Sequence, residues 1–515
     1  MKTLRNRKFW IHPILLGLYP VLALYVFNRN EIVFPAIQSA LITAVVISIL
    51  VMAIFLLIFR SWQKAALHVS WVLLLFFSYG HIFDLVKGIT IGDIALGHRV
   101  TLPAWILLLI GGEILIFRLK NSDSLNRSLD SITLILMILL SVQVLGDSVQ
   151  AKIAESEFSQ KTTPEQQSVS KASDGRDVYY IIVDSYSRAD LLKEGVNLDI
   201  SGFTSELESL GFYVPDCAQS NYDKTLQSLS SSLNMDYLEP LGLTYTASKA
   251  VFRPYIQKNL VMEKFKNMGY STAAFRSLYP GIDRQDVTYY YDYFKNASGL
   301  DSQAALNFQY LFLRTTLLRP LVQFIESNQD IKIPSYLVTW LPVENLVDNS
   351  DYRQYQQNVY ALDSLQNIPE LPGKKFVYAH LFVTHQPFVF YPDGSFHPSL
   401  SQDYDAYRDQ VIFANKRLLE VVKSILANSD PKPIIVIQGD HSYFSGPNRV
   451  KILNAYYFPD GGDEVLFPTV TPVNTFRLIF NTYFGENYKL LPDVSKYGYG
   501  EKSVQEAPST CENSR

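Results

Sequence analysis

Cysteine is almost missing from this 515-residue chain, which has only Cys217 and Cys511. Two cysteines cannot build a disulfide framework or a cysteine metal site. They could form one bond in an oxidising compartment, although Cys511 lies in a polar C-terminal stretch, and the sequence leaves that pairing open. Histidine is scarce too: of eight, His12, His68, His81 and His98 fall before residue 100, so a histidine-rich active site is excluded. Neither sign of charge dominates. A formal net charge of -4 over this length argues against nucleic acid as a partner. No A-x-A-like cleavage site follows the first apolar run, so that run reads as an anchor rather than a removable signal.

Long hydrophobic runs, by contrast, are present. Five stretches approach the roughly 20 residues needed to cross a bilayer: Trp10–Asn28, Ala36–Phe59, Ala65–Val86, Leu102–Leu119 and the shorter Ser131–Leu145. They have little amphipathic pattern, which separates them from core helices of a soluble domain. Lys2, Arg5, Arg7 and Lys8 precede the first run. Arg60 and Lys64 follow the second, and Arg118, Lys120 and Arg127 follow the fourth. The opposite loops hold Arg29, Lys87 and Arg99. The positive-inside rule then predicts a cytoplasmic N-terminus and, after five crossings, an extracytoplasmic remainder. Inside the runs, Glu113 is either a site residue or a polar contact between helices near Gly111 and Gly112. His81 and Asp84 lie near the end of the third run. The predicted organisation is a transmembrane domain over 1–147, a polar linker over 148–175 interrupted by Pro164, an α/β domain over 176–485 and a polar tail over 486–515.

Within the third segment, Val178–Val183 (VYYIIV) reads as a buried strand ending at Asp184, and Ile434–Ile437 reads as another leading through Gln438-Gly439 to Asp440 and His441. Lys375–Val383 (KFVYAHLFV) reads as a third, with His380 inside it and His385 just beyond. In open α/β sheets, ligands bind past the carboxyl ends of strands, and an Asp-His pair there suits a divalent metal. Thr225 opens a segment with Leu226, Leu229 and Leu233 at helical spacing. A hydroxyl at a helix start meets unpaired amides and the positive dipole end, which suits an anion. It also suits an ordinary helix cap. Gln410–Leu426 is amphipathic and is expected to cover the sheet. Arg449 and Lys451 are candidate anion contacts, and Pro472 opens a last helix. The fold class that follows is a five-helix transmembrane bundle followed by an α/β domain with a mostly parallel central sheet.

VYYIIVDSYSRADLL, the hydroxyl-rich segment with Thr225, YAHLFVTHQPF and IIVIQGDHSYFSG resemble, in that order, the motifs of the sulfatase-like branch of the alkaline phosphatase superfamily. The helical anchor ahead of them resembles that of membrane-bound lipoteichoic acid synthases and phosphoethanolamine transferases. The resemblance implies that Asp184, Asp440, His441 and Thr225 hold one divalent metal (Mn, Mg or Zn), with Thr225 as the nucleophile. It matches His385 to a histidine contacting the transferred group and His380 to one five residues earlier in the phosphoethanolamine enzymes; Arg449, from its place after the strand, is a further candidate substrate contact. The Cys- or Ser-x-Pro-x-Arg signature of sulfatases is missing around Thr225, and no histidine follows His441 to build a second zinc site. The cysteines that brace phosphoethanolamine transferases are missing as well.

The resemblance therefore implies an integral membrane enzyme that moves a phospho-alcohol group from a lipid donor to a glycan or lipid acceptor of the cell envelope. A metal-dependent phosphodiesterase of the same fold, and a non-catalytic envelope-assembly protein, are the alternatives.

Overall fold

The structure is a computed structural model that describes residues 9–28, 34–91, 94–120, 122–161, 175–247, 249–277, 282–296, 302–327, 350–397, 403–499 and 503–509. Lys2, Arg5, Arg7, Lys8, Arg29, Pro164 and Cys511 lie outside them. The chain divides into two compact units, Met1–Ser148 with Gly299–Asn349, and Val149–Ser298 with Ser350–Arg515.

The first unit is helical. Helices α1 (His12–Asn28), α2 (Gln38–Phe59), α3 (Trp62–Val86), α4 (His98–Arg118) and α5 (Asp123–Lys161) follow the five expected runs, with a short hairpin of β1 (Thr90–Ile91) and β2 (Ile94–Ala95) between α3 and α4. Four of them, α2 to α5, contain stretches long and apolar enough to cross a membrane, and α1 is a shorter apolar helix. No residue of α4 is buried, so its Leu107 and Leu115 point outward. That is the arrangement of a helix whose solvent is lipid. Several polar side chains inside this unit pair with one another. His68 bonds Glu113 between α3 and α4 and stacks on Phe59 at 4.2 Å. His12 bridges Ser70 (2.6 Å) and Asn126 (2.8 Å), joining α1, α3 and α5. Of the two readings for Glu113, the helix–helix contact is the one present, while His81 is exposed.

The second unit is a three-layer α/β domain. Six strands lie in the order β5-β4-β6-β3-β7-β8: β3 (Val178–Val183), β4 (Ser271–Phe275), β5 (Tyr289–Tyr291), β6 (Lys375–Leu381), β7 (Ile434–Gln438) and β8 (Asn454–Tyr457). All neighbours are parallel except β7 with β8. Period-2 alternation splits each central strand between two cores. Tyr179, Ile181 and Val183 face one core with Val377, Ala379, Leu381, Ile435 and Ile437. Val178, Tyr180 and Ile182 face the other with Phe376, Tyr378, Ile434 and Val436.

Helices α6 (Ala189–Val196), α7 (Ser201–Ser209), α13 (Ser350–Asn367) and α14 (Tyr404–Asn428) close the first face through Leu192, Leu207, Leu365 and Leu418. Helices α8 (Thr225–Asn234), α9 (Lys249–Gln257), α10 (Leu260–Asn267) and α15 (Pro472–Phe484) close the second through Leu229, Phe252, Phe265 and Phe480.

Three boundary expectations differ from the structure. Helix α5 continues into the expected linker as far as Lys161, and residues 302–327, expected in the α/β domain, group with the helical unit. The expected polar tail contains an antiparallel hairpin of β9 (Lys496–Tyr499) and β10 (Ser503–Glu506). Lys496 N donates to Asn221 O (2.9 Å), and Gln219 Nε2 donates to Pro508 O (3.1 Å), so the C-terminal segment is laid along the loop before α8. Cys217 lies two residues from Gln219 and is disulfide-bonded, a point the sequence had left open. The chain's other cysteine, Cys511, is outside the described residues.

Candidate active site

Strands β6, β3 and β7 are consecutive in the sheet and parallel, so their carboxyl ends open on one edge. His380 is the sixth of seven residues in β6, Asp184 follows β3 directly, and Asp440 lies two residues past β7. A ligand atom from each of these three buried side chains lies within 4.8 Å of the other two. His441 joins them, with Nε2 at 3.8 Å from Asp184 Oδ1 and 3.6 Å from Asp440 Oδ2.

Thr225 is the first residue of α8, whose cap position is Lys224. Its hydroxyl lies 3.2 Å from His441 Nε2. The helix-cap reading of Thr225 is therefore replaced: its side chain turns toward the Asp–His cluster. Thr225 is half-buried while Asp184, Asp440, His380 and His441 are buried. Thr225 thus sits at the partly exposed margin of a sheltered cluster.

Ser185 connects the two carboxylates. It takes a left-handed conformation (φ 63°) immediately after Asp184, a strained state for a residue with a Cβ. Its N–H donates to Asp440 Oδ1 at 3.1 Å and its hydroxyl to Asp184 Oδ1 at 2.9 Å. The main-chain N–H of His441 donates to the same Asp440 oxygen at 2.9 Å. Burial by itself raises the Asp184 pKa. The imidazoles of His385, His380 and His441 outweigh it and hold the carboxyl far below the usual carboxylate range.

A divalent cation fits these residues. Asp440 Oδ2 and both ring nitrogens of His380 are buried without hydrogen-bond partners. His380 Nε2 is 3.2 Å from Asp184 Oδ2, close but not aligned as a hydrogen bond. Buried polar atoms normally have partners, and two carboxylates with imidazole nitrogens form a donor set for Zn or Mn.

The other candidates are placed as follows. His385 is half-buried just past β6 and bonds the Gln386 carbonyl through Nδ1. Arg449 Nε donates to the Asp223 carbonyl at 2.8 Å, bracing the turn that enters α8. Lys451 faces Asp190 at 3.8 Å. Sequence reasoning missed Ser185 and the buried Tyr378, whose hydroxyl has no partner. The alternation Phe376, Tyr378, His380 along β6 was the available signal for Tyr378 sharing the face of His380.

No family model matches the chain, and no curated protein does. Among solved structures, the periplasmic domain of EptC from Escherichia coli matches at 14% identity and a TM-score of 0.36, covering 64% of this chain and 92% of that one. The lipooligosaccharide phosphoethanolamine transferase EptA from Neisseria meningitidis matches at 10% and 0.36, covering 92% and 95%. The lipoteichoic acid synthase LtaP from Listeria monocytogenes matches at 14% and 0.32, covering 59% and 70%. At such distances the chemistry of this chain rests on its own residues.

Proposed function

We propose that this chain is a membrane-anchored transferase. It moves a phospho-alcohol group, of phosphoglycerol or phosphoethanolamine type, from a lipid donor to a glycan or lipid of the cell envelope. The observation that carries the reading is Thr225: a half-buried hydroxyl at a helix N-terminus, 3.2 Å from His441 Nε2, beside two buried carboxylates. The substrate class follows the motif resemblance, and the extracytoplasmic placement of the α/β unit follows the cation distribution around the apolar runs.

Asp184, Asp440 and His441 with the Thr225 hydroxyl would hold one divalent ion, with His380 Nε2 within reach of the same position. Bound there, the ion supplies a Lewis acid that lowers the hydroxyl's pKa and neutralises phosphoryl charge. Thr225 Oγ1, which enters and leaves the cycle as the alkoxide, attacks the donor's phosphorus, a P–O bond to threonine forms, and the P–O bond to the lipid alcohol breaks. Protonated His385 gives the departing alkoxide its proton. An acceptor hydroxyl then forms a new P–O bond as the bond to threonine breaks, and its proton returns to His385. The amides at the start of α8 lie beside the nucleophile, where they favour the developing negative charge.

The test is intact mass spectrometry of the full chain after incubation with bacterial membrane lipids and Mn or Zn, beside Thr225→Ala. The expected result is an adduct that maps to Thr225, is lost in the variant, and has the mass of the transferred group. Metal binding with no adduct after rapid quenching would refute the covalent route.

A further inference from the structure

Helices α11 (Ser302–Thr315) and α12 (Arg319–Ser327) come from chain lying between strands β5 and β6 of the α/β sheet, yet they pack within the helical unit. Their contacts run down one side of that unit and back up. Gln309 Nε2 donates to Ser39 Oγ (2.9 Å) in the first turn of α2. Phe308 is fully buried among Val21, Ile37, Ala40 and Ala44 of α1 and α2 and the turn between them. One turn on, Phe312 meets Phe77 of α3 at 5.7 Å. At the turn between α11 and α12, Leu317 N donates to the Phe76 carbonyl at 2.8 Å.

The path then reverses. Arg319 donates to the Gly80 carbonyl (2.9 Å) and grips both oxygens of Asp84 (2.6 and 2.8 Å). Gln323 reaches His98 (2.6 Å) at the start of α4. Phe76 is eight residues before Asp84, a depth of about 12 Å along the helix, against about 15 Å for half of a hydrocarbon core.

We propose that residues 302–327 form a re-entrant helical hairpin, dipping from the α/β chain into the leaflet in which α3 ends, with the exposed side of α12 against lipid acyl chains. Three further features fit that solvent. Leu321 and Phe324 of α12 are 46% and 56% exposed, continuing the outward apolar surface of the spans. Gly80 is where the hairpin meets α3: a Cβ there would lie 2.2 Å from the Arg314 carbonyl oxygen, so only glycine admits the approach, as at small-residue contacts between membrane helices. Both arginines are accommodated. Arg319 is paired with Asp84, and Arg314 donates to the Tyr310 hydroxyl one turn nearer the surface (3.1 Å), as a snorkelling side chain does.

The experiment is spin labelling of the full chain, as Leu321→Cys and as Phe324→Cys, reconstituted in phosphatidylcholine nanodiscs without reductant. The parent chain, treated identically, gives the background. Collision with oxygen is compared with collision with a water-soluble nickel chelate, using Leu57→Cys on α2 and Ser209→Cys on α7 as lipid and water references. The expected result is oxygen dominance at 321 and 324, as at 57 and opposite to 209. Nickel dominance at either position overturns the proposal.

Discussion

Replacing Gly439 with alanine tests how rigidly the fold holds the Asp–His cluster. Gly439 separates β7 from Asp440, and a Cβ at that position would lie 2.6 Å from the Tyr186 carbonyl oxygen and 3.2 Å from Ile452 Cβ. The oxygen belongs to backbone that cannot rotate away, and Tyr186 is itself buried. Restoring ordinary contact requires a shift of about 0.8 Å between the β3 and β7 loops. The Ser185 N–H to Asp440 bond spans those same two loops.

Overpacking of this kind costs about 1–3 kcal/mol, and disturbing the partners that orient a metal ligand costs about 10–100-fold in metal affinity. Titration calorimetry with Zn or Mn on the full chain in detergent should show that loss, together with a lower melting temperature. Gly202→Ala in α7 is the control. Nothing lies within 4 Å of its added Cβ, so it should leave metal affinity unchanged and stability the same or slightly higher. If Gly439→Ala binds metal as the parent does and melts at the same temperature, the claim that the loops rigidly position Asp440 is wrong.

Phe265, fully buried and stacked on Phe376 at 4.4 Å with Phe480 at 5.2 Å, should lose about 3–5 kcal/mol as Phe265→Ala, measured by chemical denaturation of the α/β unit within the full chain. Asp190 has a lowered pKa: burial raises it, but Arg188 and Lys451 outweigh burial. Its contribution is therefore present above the unfolded carboxylate pKa and lost as pH falls through the lower folded value. Because Asp190 is 40% exposed, Asp190→Asn should cost only about 0.2–1 kcal/mol at pH 7, and the gap to the parent should close in acid melts. Removing metal with a chelator should lower the melting temperature, and Zn or Mn at a hundredfold excess over Kd should restore about 2.7 kcal/mol, a response that Asp440→Asn should weaken.

The sequence by itself determined the elements and the identity of most site candidates. Apolar runs of bilayer length can only become helices, because each backbone group must be satisfied within its own segment. VYYIIV and IIVI, short and rich in β-branched and aromatic residues, read as strands buried on both faces, and in the fold their side chains alternate between two cores. Asp184, His385 and Asp440 were legible as strand-end residues for the same reason.

What tertiary structure alone decided was convergence. The strand order β6-β3-β7 puts His380, Asp184 and Asp440 on neighbouring strands, although they are separated in sequence by up to 256 residues. The helix carrying Thr225 covers the sheet face toward which Tyr378 points, and nothing in the local pattern around either residue specifies that pairing. Two segments with ordinary composition were likewise placed only by packing. Residues 302–327 are amphipathic and would suit a soluble domain, but Phe308 and Arg319 find their partners in the helical unit. Residues 496–499 and 503–506 are polar enough to be a tail, yet they pair as antiparallel strands beside Asn221. In both cases the deciding contacts lie far away in the chain, where periodicity carries no information.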